Sequence, residues 1–553
     1  MSGKIIKNGS DAQLEIIKGV VDAANAIKTT LGPSGKCVAI SNASMTVEPE
    51  ITRDGATVAK SISFSNPYMN MGASLLRKAA ALTESQAGDS TSTCSVLIKE
   101  FCEKGQKFVK SGANINEVKS GMLKASNWVR DYIKKKAIPV DGDMEKIKKV
   151  ATISANNDPE VGNLVVECMK KVGIHGVITA DLSATLDTTI DVTTGMKLKR
   201  GWLSPAFITS QANGLCELEK PAILVVGERI SSTQILLNLI EPLCKEGRPI
   251  LIICEEIDDF VVSMLAYNAQ LGSIRACVVK GVDFGDSRKN IMQDVATLVG
   301  GEYVCSENGM TLNNVGREVF GTANRVVISK DSTIIYEGAG NPDKINARVE
   351  LLISKLNAPD VSDYDKVKFE NRIASLSGGI GIVKAGGATE AEKLNRKATI
   401  EDSILASKSA IDEGCVPGCG YIYYRASLEM DKDKAFWKSL TKDESYGAEI
   451  VKSSLPVIMK TVADNCQQDL GACVLETVAK QKWGIGYNAK TKKYCDLVDS
   501  GVLDSAKSIR VALENAVSTA SMVLLIDSTI VEEELVEESK GCNCGGGCCC
   551  GKH

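Results

Sequence analysis

Apolar residues recur at helical spacing in the first and last parts of the chain. From Ser10 onward they follow one another three or four residues apart, which predicts an amphipathic helix. Ser10 and Gln13 have the residue types of a capping box at its start, and the turn-forming run 31–35 ends it. Further helices are predicted at about 71–87, at about 92–110 and beyond about residue 400. Both ends of the chain are therefore expected to be helical.

The central part of the chain has a different pattern. Short apolar runs alternate with helical stretches there, which predicts a parallel sheet covered by helices. These runs are 223–226, 250–253 and 276–279, and the segments 325–328 and 333–336 are predicted to form a hairpin. We therefore expect an α/β unit inserted into a helical one, with hinges near Gly195 and Gly378-Gly379.

The segment 234–246 has more apolar surface than a helix on a sheet needs. Its two adjacent stripes are Leu236, Leu239 and Leu243, and Leu237, Ile240 and Cys244. The second stripe is either buried by another layer or exposed to bind an apolar partner. Pro242 falls within this pattern and favours a kink.

Composition and charge exclude several classes of function. The 65 basic and 69 acidic residues leave a net charge of −4, which provides no overall field for binding nucleic acid or a membrane surface. The only histidines are His175 and His553, so carboxylates must carry most of any acid–base chemistry. The N-terminus has no signal-peptide pattern, and the most apolar late stretch is too short to span a bilayer. A cytoplasmic location is expected, in a bacterium or in a virus-infected host.

Nineteen cysteines are a high number for a chain of this kind. Fourteen are scattered through apolar segments, as Cys254 and Cys277 are, and are predicted to be reduced, buried thiols. The other five lie in the Gly/Cys-rich tail 541–551. That tail is either a mobile segment or a site for a soft metal such as Zn²⁺.

Candidate chemistry lies in three places, although no Walker A or dinucleotide-binding motif is present. The run 88–93 combines hydroxyls with a helix N-terminus, which suits phosphate, and Asp89 is a candidate ligand for Mg²⁺. The alternative is an ordinary capping turn. Asp54 and Asp402 are each either a catalytic carboxylate or a turn or surface residue.

Eight motifs together resemble the group I chaperonins, in order and in approximate spacing, from about residue 5 to 530. The motifs are Leu31-Gly32-Pro33, Thr52-Arg53-Asp54-Gly55, Ala87-Gly88-Asp89, Thr152-Ile153-Ser154-Ala155-Asn156, Gly201-Trp202-Leu203-Ser204-Pro205, Phe284-Gly285-Asp286, Ser362-Asp363-Tyr364-Asp365 and Gly486-Tyr487-Asn488-Ala489. Any one of them alone is a weak signal, whereas eight collinear matches are specific.

The resemblance implies the multidomain α+β/α chaperonin fold. A mostly helical equatorial ATP-binding domain would comprise 1–135 and 412–553, and a small intermediate hinge domain 136–193 and 380–411. An α/β apical substrate-binding domain would comprise 194–379. The function implied is that of an ATP-dependent molecular chaperone and ATPase, which captures non-native polypeptides on apolar apical helices and encloses them in a ring cavity for folding.

The resemblance also implies partners and cofactors. The chain would form a homo-oligomer of heptameric rings, stacked back to back, with a small co-chaperonin as a possible lid. Its cofactors would be ATP, Mg²⁺ and K⁺. Neither nucleic acid nor a membrane is expected as a partner.

Site residues are carried over from the resemblance by position. Asp54 and Asp402 would be the catalytic carboxylates, Asp89 would bind Mg²⁺, and Thr30 with Ser92 would bind K⁺. The residues that would contact ATP are Thr30, Leu31, Gly32, Pro33, Gly88, Asp89, Ser90, Thr91, Ser92, Thr93, Gly418, Cys419, Asn488, Ala489 and Asp504. Those that would bind polypeptide are Trp202, Phe207, Leu237, Ile240, Val262, Ala266 and Tyr267.

The chain departs from the family pattern in the phosphate loop, in a glycine run and on the apical surface. Ser90 stands where the family has glycine, Ser92 where it has threonine, and Cys419 interrupts a run of glycines. On the apical surface, Ala206 replaces an aromatic residue, and Pro242 falls within the substrate-binding helix. These differences bear on nucleotide affinity, rate and co-chaperonin fit.

Two other functions are alternatives to that of a folding machine. A ring-shaped scaffold that retains nucleotide would not need Asp54, Asp89 and Asp402 together. A group II chaperonin would need a helical protrusion, for which 229–280 has no room. Both points favour an ATP-driven folding machine.

Overall fold

A computed structural model describes residues 4–41, 49–140, 142–174, 176–193, 195–210, 214–356, 363–377 and 379–532. The chain divides into two compact units. The first consists of residues 1–140 together with 408–553, and the second of residues 141–407. The finer division into equatorial, intermediate and apical domains stays a prediction.

The helices of the described residues are numbered in chain order. They are α1 (Ser10–Lys28), α2 (Gly55–Ser61), α3 (Pro67–Ala87), α4 (Thr91–Lys110), α5 (Ile115–Lys136), α6 (Met144–Ser154), α7 (Pro159–Val172), α8 (Thr233–Lys245), α9 (Asp259–Gln270), α10 (Gly285–Val299), α11 (Pro342–Leu356), α12 (Asp363–Ser377), α13 (Glu390–Glu413), α14 (Tyr421–Lys432), α15 (Lys434–Lys438), α16 (Lys442–Ser454), α17 (Val457–Cys466), α18 (Leu470–Ala479) and α19 (Ala506–Leu525).

The strands are numbered in the same way. They are β1 (Lys4–Asn8), β2 (Val38–Ile40), β3 (Glu50–Thr52), β4 (Val177–Leu182), β5 (Thr189–Thr193), β6 (Gly195–Leu198), β7 (Cys216–Glu219), β8 (Ala222–Ile230), β9 (Ile250–Ile257), β10 (Ala276–Lys280), β11 (Tyr303–Val304), β12 (Gly321–Ile328), β13 (Thr333–Gly338), β14 (Ile380–Ala385), β15 (Cys415–Pro417), β16 (Ile485–Asn488), β17 (Lys493–Asp496), β18 (Leu503–Ser505) and β19 (Ser528–Glu532).

The first unit is a helical bundle whose core is formed by α1, α3, α4, α5, α16 and α19. The predicted helices near 71–87 and 92–110 are confirmed as α3 and α4. The capping box predicted at Ser10 is wrong, because α1 is preceded by Gly9 and has no side-chain cap. Gln13 instead donates to the carbonyl of Leu524, at 2.7 Å. A long-range partner has replaced the local one.

The described part of this unit contains four short two-stranded pairs. Strand β1 pairs with β19, β15 with β18, and β16 with β17, all antiparallel. Strand β2 pairs with β3, and most of the loop between them lies outside the described residues. The β15–β18 pair brings the segments near 418 and 504 together. Tyr421, Tyr487 and Ala489 share one core cluster, which brings the segment near 488 to the same region.

The second unit is built on an eight-stranded sheet. Six strands follow the path β10-β9-β8-β12-β13-β6, while β11 pairs with β8 and β7 pairs with β12. Strands β8, β9 and β10 are parallel, which confirms the βαβαβ prediction. Strands β12 and β13 form the predicted hairpin, with Ile328 opposite Thr333. A smaller sheet, β4-β14-β5, lies against α7.

The structure shows whether the two apolar stripes of α8 are buried or exposed. Its first stripe is buried, and Ile240 of the second stripe is fully buried with it. Leu237 and Cys244 are half-buried and pack against the same core. Pro242 does not end the helix, which continues to Lys245. The second stripe is therefore largely covered by the unit itself.

A buried ion cluster ties three helices of this unit together. Asp294 of α10 is almost fully buried and accepts from Arg348 Nε at 2.8 Å and from Arg372 Nε at 2.6 Å. Two guanidinium groups, each able to donate two hydrogen bonds to a carboxylate, compensate for the burial of Asp294. This cluster fixes α11 and α12 against α10.

The cysteine and membrane predictions can be compared with the described residues. Cys254 and Cys277 are buried free thiols, as predicted. None of the described helices has the length and apolar character that a membrane crossing requires. The Cys-rich tail, both histidines and Gly378 lie outside the described residues.

Candidate functional site

Two hydroxyl groups meet where α1 ends and α4 begins. Thr30 Oγ1 donates to the carbonyl of Ile27 at 2.8 Å and lies 3.4 Å from Ser92 Oγ. A Cβ at Gly55 would overlap Ser92 Oγ, so only glycine lets α2 approach α4 this closely. The structure thereby brings Thr30, Ser92 and the Asp54-Gly55 pair together.

The loop between α3 and α4 has a strained backbone. Gly88 ends α3 with φ 72°, and Ser90 starts α4 with φ 69°, both left-handed. For serine this conformation costs roughly 1–2 kcal/mol, because its Cβ crowds the following carbonyl. The Ser90 side chain makes no capping hydrogen bond, and its N–H donates to the Asp89 carboxylate. The N-terminal N–H groups of this 20-residue helix are oriented to attract an anion.

Asp54 caps the N-terminus of α2. Its carboxylate accepts from the backbone N–H groups of Ala56 at 3.0 Å and Thr57 at 2.7 Å, and from the Thr57 hydroxyl at 2.6 Å. These bonds satisfy N–H groups at the start of α2 and fix the orientation of the carboxylate. The capping alternative is thus observed, and the same contacts hold a charged oxygen beside the Thr30–Ser92 pair.

The ionised form of the Asp504 carboxyl group is destabilised by its surroundings. Burial and the charge of Asp89 together raise the pKa of Asp504 to about 7. Its strand β18 pairs with β15, and a Cβ at Gly418 would lie 2.9 Å from Asp504 Oδ1. Two carboxylates that repel each other form a donor set that suits a divalent cation with oxygen ligands, such as Mg²⁺.

Three of the predicted ATP-contacting residues, Cys419, Asn488 and Ala489, lie close together. Cys419 has φ 59°, and burial raises the pKa of its thiol to about 12. The backbone of Ala489 contacts that thiol, and the carbonyl of Ala489 also accepts from Cys466 Sγ at 3.5 Å. Asn488 Oδ1 accepts from the N–H of Lys490 at 3.0 Å, so its amide holds the turn of the hairpin.

The run 31–33 is held by two side chains that the sequence analysis missed. Arg53 Nη2 donates to the carbonyls of Gly32 at 3.2 Å and Pro33 at 3.4 Å, and Asn465 Nδ2 donates to that of Leu31 at 2.8 Å. Gly32 has φ 83°, which favours glycine. Arg53 was recognisable from its place beside Asp54, whereas Asn465 lies more than 400 residues away and gave no signal.

Asp402 belongs to the second unit and is described with it. It lies on α13 and is partly buried. The next residue, Ser403, donates to the carbonyl of Ala151 at 2.9 Å and so ties α13 to α6. The structure thus places Asp402 on a well-anchored helix, and brings the other predicted nucleotide residues together in the first unit.

The predicted polypeptide-binding residues differ widely in exposure. Tyr267 of α9 is 63% exposed, whereas Trp202, Leu237 and Val262 are half-buried. The remaining three are buried in the core and present little surface to a partner; they are Phe207, Ile240 and Ala266.

The sequence analysis missed two exposed apolar residues, one on α9 and one directly after its last residue. Phe260 is 60% exposed and Leu271 is 61% exposed. Phe260, Tyr267 and Leu271 are spaced by seven and then four residues, so they share one helical face. This spacing was the signal that could have found them.

The class of protein follows from these features. A helical unit with a carboxylate-rich anion site, joined to an inserted α/β unit with an exposed apolar helix face, is the architecture of a nucleotide-driven chaperone. Residues 23–534 match the TCP-1/cpn60 chaperonin family, and the chain belongs to this family.

Individual relatives agree with this assignment. Chaperonin GroEL of Methanospirillum hungatei JF-1 is 38% identical over 532 residues, 96% of this chain and 97% of that protein. The chaperonin gp146 from bacteriophage EL 2 (Pseudomonas aeruginosa), crystallised in the presence of ATP-BeFx, has the same fold. Its crystal form II matches with a TM-score of 0.74 and 21% identity, covering 96% of this chain and 100% of that one. Form I matches with a TM-score of 0.64 and 22% identity, covering 96% and 99%.

The protein is thus a group I chaperonin, as the motifs predicted. It is an ATPase that uses ATP to drive protein folding.

Proposed function

We propose that the first unit binds ATP with Mg²⁺ and K⁺ around the α3–α4 loop, and that hydrolysis drives the capture and enclosure of non-native polypeptides by the second unit. The observation that supports this most directly is the convergence of Asp54, Asp89, Ser92 and Asp504 at the N-terminus of α4. These groups come from three separate parts of the chain, and together they would supply an anion site with cation ligands.

The phosphate-binding part comprises the start of α4 and its carboxylates. The backbone N–H groups and hydroxyls of 90–93 would hold the phosphates, and Asp89 would bind Mg²⁺. Bound Mg²⁺ would neutralise charge on the phosphates during transfer. The repulsion between Asp89 and Asp504 fits a cation there, because an added positive charge stabilises both ionised carboxylates.

The Thr30–Ser92 pair fits a monovalent cation. Two hydroxyl oxygens 3.4 Å apart, next to backbone carbonyls at the end of α1, are neutral oxygen donors. Such donors suit K⁺, which would lie beside the phosphates and add positive charge.

The hydrolytic water would be positioned by two carboxylates. The carboxylate of Asp54 is held in place by its capping bonds, and the neighbouring Gly55 packs against Ser92 Oγ. Asp402 would act as the second carboxylate when the predicted intermediate domain (136–193 and 380–411) closes. Hydrolysis would then be gated by a domain motion.

The adenosine would lie between Gly32-Pro33 and the cluster of Cys419, Asn488 and Ala489. Gly32 has a left-handed backbone and its carbonyl is held by Arg53, whereas Asn488 and Ala489 are buried at the end of β16 and Cys419 is half-buried. The charge of Asp504 acts on the Cys419 thiol, and the charge of Asp89 acts on Asp504, so Asp504 would link the adenosine part to the phosphate part.

Client polypeptides would bind the exposed face of α9. Phe260, Tyr267 and the adjoining Leu271 are its most exposed side chains. Leu237 of α8 and Val262 of α9 are half-buried and would contribute less surface. A surface of this kind recognises misplaced apolar residues rather than a defined sequence. We also propose heptameric rings, a small co-chaperonin lid and a cytoplasmic location.

Two substitutions test the division of roles. Asp89→Ala is expected to lose Mg²⁺-dependent ATP binding, because that carboxylate would hold the metal on the phosphates. Asp402→Ala is expected to bind ATP like the parent, because Asp402 would only orient water. It is expected to hydrolyse ATP at least about 100-fold more slowly than the parent. Calorimetry with Mg²⁺ and K⁺, combined with turnover, separates the two. Equal loss of binding in both variants would refute this assignment.

A further inference from the structure

Tyr421 lies at the junction of two segments with proposed adenosine contacts. It is the first residue of α14 and directly follows Gly418-Cys419-Gly420. Its side chain is fully buried, and its backbone N–H donates to the carbonyl of Gly418 at 3.1 Å. Any movement of this residue is therefore transmitted to the loop that holds Cys419.

The hydroxyl of Tyr421 reaches the second segment, the β16–β17 hairpin. It accepts from the N–H of Gly484 and from Arg425 Nε, both at 2.8 Å. Gly484 is buried and immediately precedes β16, which ends at Asn488. A buried N–H needs a partner, so this hydroxyl fixes where the hairpin begins.

Arg425 strengthens the same connection. Its Nη2 donates to the carbonyls of Gln481 at 2.7 Å and Lys482 at 3.0 Å. Its guanidinium carbon lies 5.2 Å from the centre of the Tyr421 ring. The residues that lead into β16 are thus tied to α14 through both side chains.

The ring of Tyr421 provides the contact surface for the hairpin. A Cβ at Gly486 would lie 3.0 Å from the ring, so β16 passes directly over it. The ring of Trp483 packs edge-on against it, with 5.5 Å between centroids. Tyr421 also belongs to one core cluster with Tyr487 and Ala489.

We propose that Tyr421 is a positioning residue for adenosine, acting by clamping the β16–β17 hairpin to the loop 418–420. This inference rests on the proposed contacts of Cys419, Asn488 and Ala489 with the nucleoside. The clamp sets the distance between these two walls before ATP arrives, and preorganisation of this kind lowers the cost of binding. It contributes to the binding of the nucleoside and not to that of the phosphates.

Tyr421→Phe tests the clamp because it keeps the ring and removes only the hydroxyl. Tyr423→Phe is the matched control: Tyr423 lies on the same helix and is equally buried, but its hydroxyl donates to the carbonyl of Ile509, in the other core cluster. The dissociation constants of ATP and of inorganic tripolyphosphate are measured by calorimetry with Mg²⁺, together with kcat and KM. Asp89→Ala serves as the reference for the phosphate part.

The expected result is a Kd and a KM for ATP raised at least about fivefold in Tyr421→Phe, with kcat close to the parent. Tripolyphosphate should bind as in the parent, and Tyr423→Phe should bind both ligands normally. An equal effect in both tyrosine variants, or an equal loss of tripolyphosphate, would overturn the clamp. Normal ATP binding by Tyr421→Phe beside a defective Asp89→Ala would overturn it too, while leaving the proposed nucleotide site intact. Normal ATP binding by Asp89→Ala would overturn the site itself.

Discussion

The hydroxyl oxygens of Thr30 and Ser92 lie 3.4 Å apart, although 62 residues separate them along the chain. The absence of a side chain at Gly55 makes room for Ser92, and Thr30 is oriented by its bond to Ile27. Three elements therefore determine this contact, and it places the capped carboxylate of Asp54 beside a pair of neutral oxygen donors.

Ser92→Ala is expected to raise the K⁺ concentration needed for half-maximal ATP hydrolysis about fivefold or more, because it removes one of the two proposed ligands. The measurement is a K⁺ titration of ATPase activity at saturating Mg²⁺ and ATP. Ser95→Ala is the control, since Ser95 lies on the same helix but bonds to the carbonyl of Thr91 at 3.0 Å. An unchanged K⁺ requirement in Ser92→Ala would contradict the proposed cation site.

Ser90→Gly is expected to be more stable than Ser90→Ala by about 1 kcal/mol, because both lose the hydroxyl but only glycine relieves the left-handed backbone. Thermal unfolding of the two variants at one pH gives the comparison. Both should still bind ATP, since the phosphates would be held by backbone N–H groups. Equal stability of the two variants would show that the Cβ is not strained there.

The double substitution of Phe260 and Tyr267 by serine is expected to abolish suppression of aggregation of a denatured protein while the rings still assemble. Both side chains are exposed, so their removal costs little stability. Leu186→Ser is the matched control, because Leu186 is 70% exposed but is not on α9. The proposed client surface is wrong if the double variant protects a client as well as Leu186→Ser does.

Glu444→Gln is expected to lower stability at pH 7, and its difference from the parent should shrink as the pH falls from about 5 towards 3. Hydrogen bonds from Lys124, Ser120 and the backbone of Thr441 lower the pKa of Glu444 to about 2. A lowered carboxyl pKa stabilises the fold above the unfolded-state value, and this contribution is lost as the carboxylate becomes protonated. Thermal unfolding across this pH range gives the profile.

The exposed Glu429, which pairs with Lys432 at 2.8 Å, supplies the control for this profile. Exposed pairs contribute little to stability, so Glu429→Gln should follow the parent at every pH. A constant difference between Glu444→Gln and the parent from pH 7 to 3 would argue against the assigned hydrogen bonds.

The sequence by itself determined the elements whose signal is local. Helix α3, the parallel strands β8 to β10 and the β12–β13 hairpin follow from apolar periodicity and turn residues, because each pattern is complete within a short segment. The order of eight motifs was likewise sufficient to indicate the family. For the nucleotide site, the sequence supplied candidate residues but no contacts between them.

The tertiary structure alone decided what covers each residue. Ile240 and Phe260 are both apolar residues on predicted helices, yet one is buried and the other exposed. Gln13, expected to cap its own helix, bonds to a carbonyl 511 residues away. The pKa of Asp504 depends on its burial and on Asp89, 415 positions earlier in the chain. Burial and electrostatic environment come from neighbours that are distant in sequence, so local pattern carries no record of them.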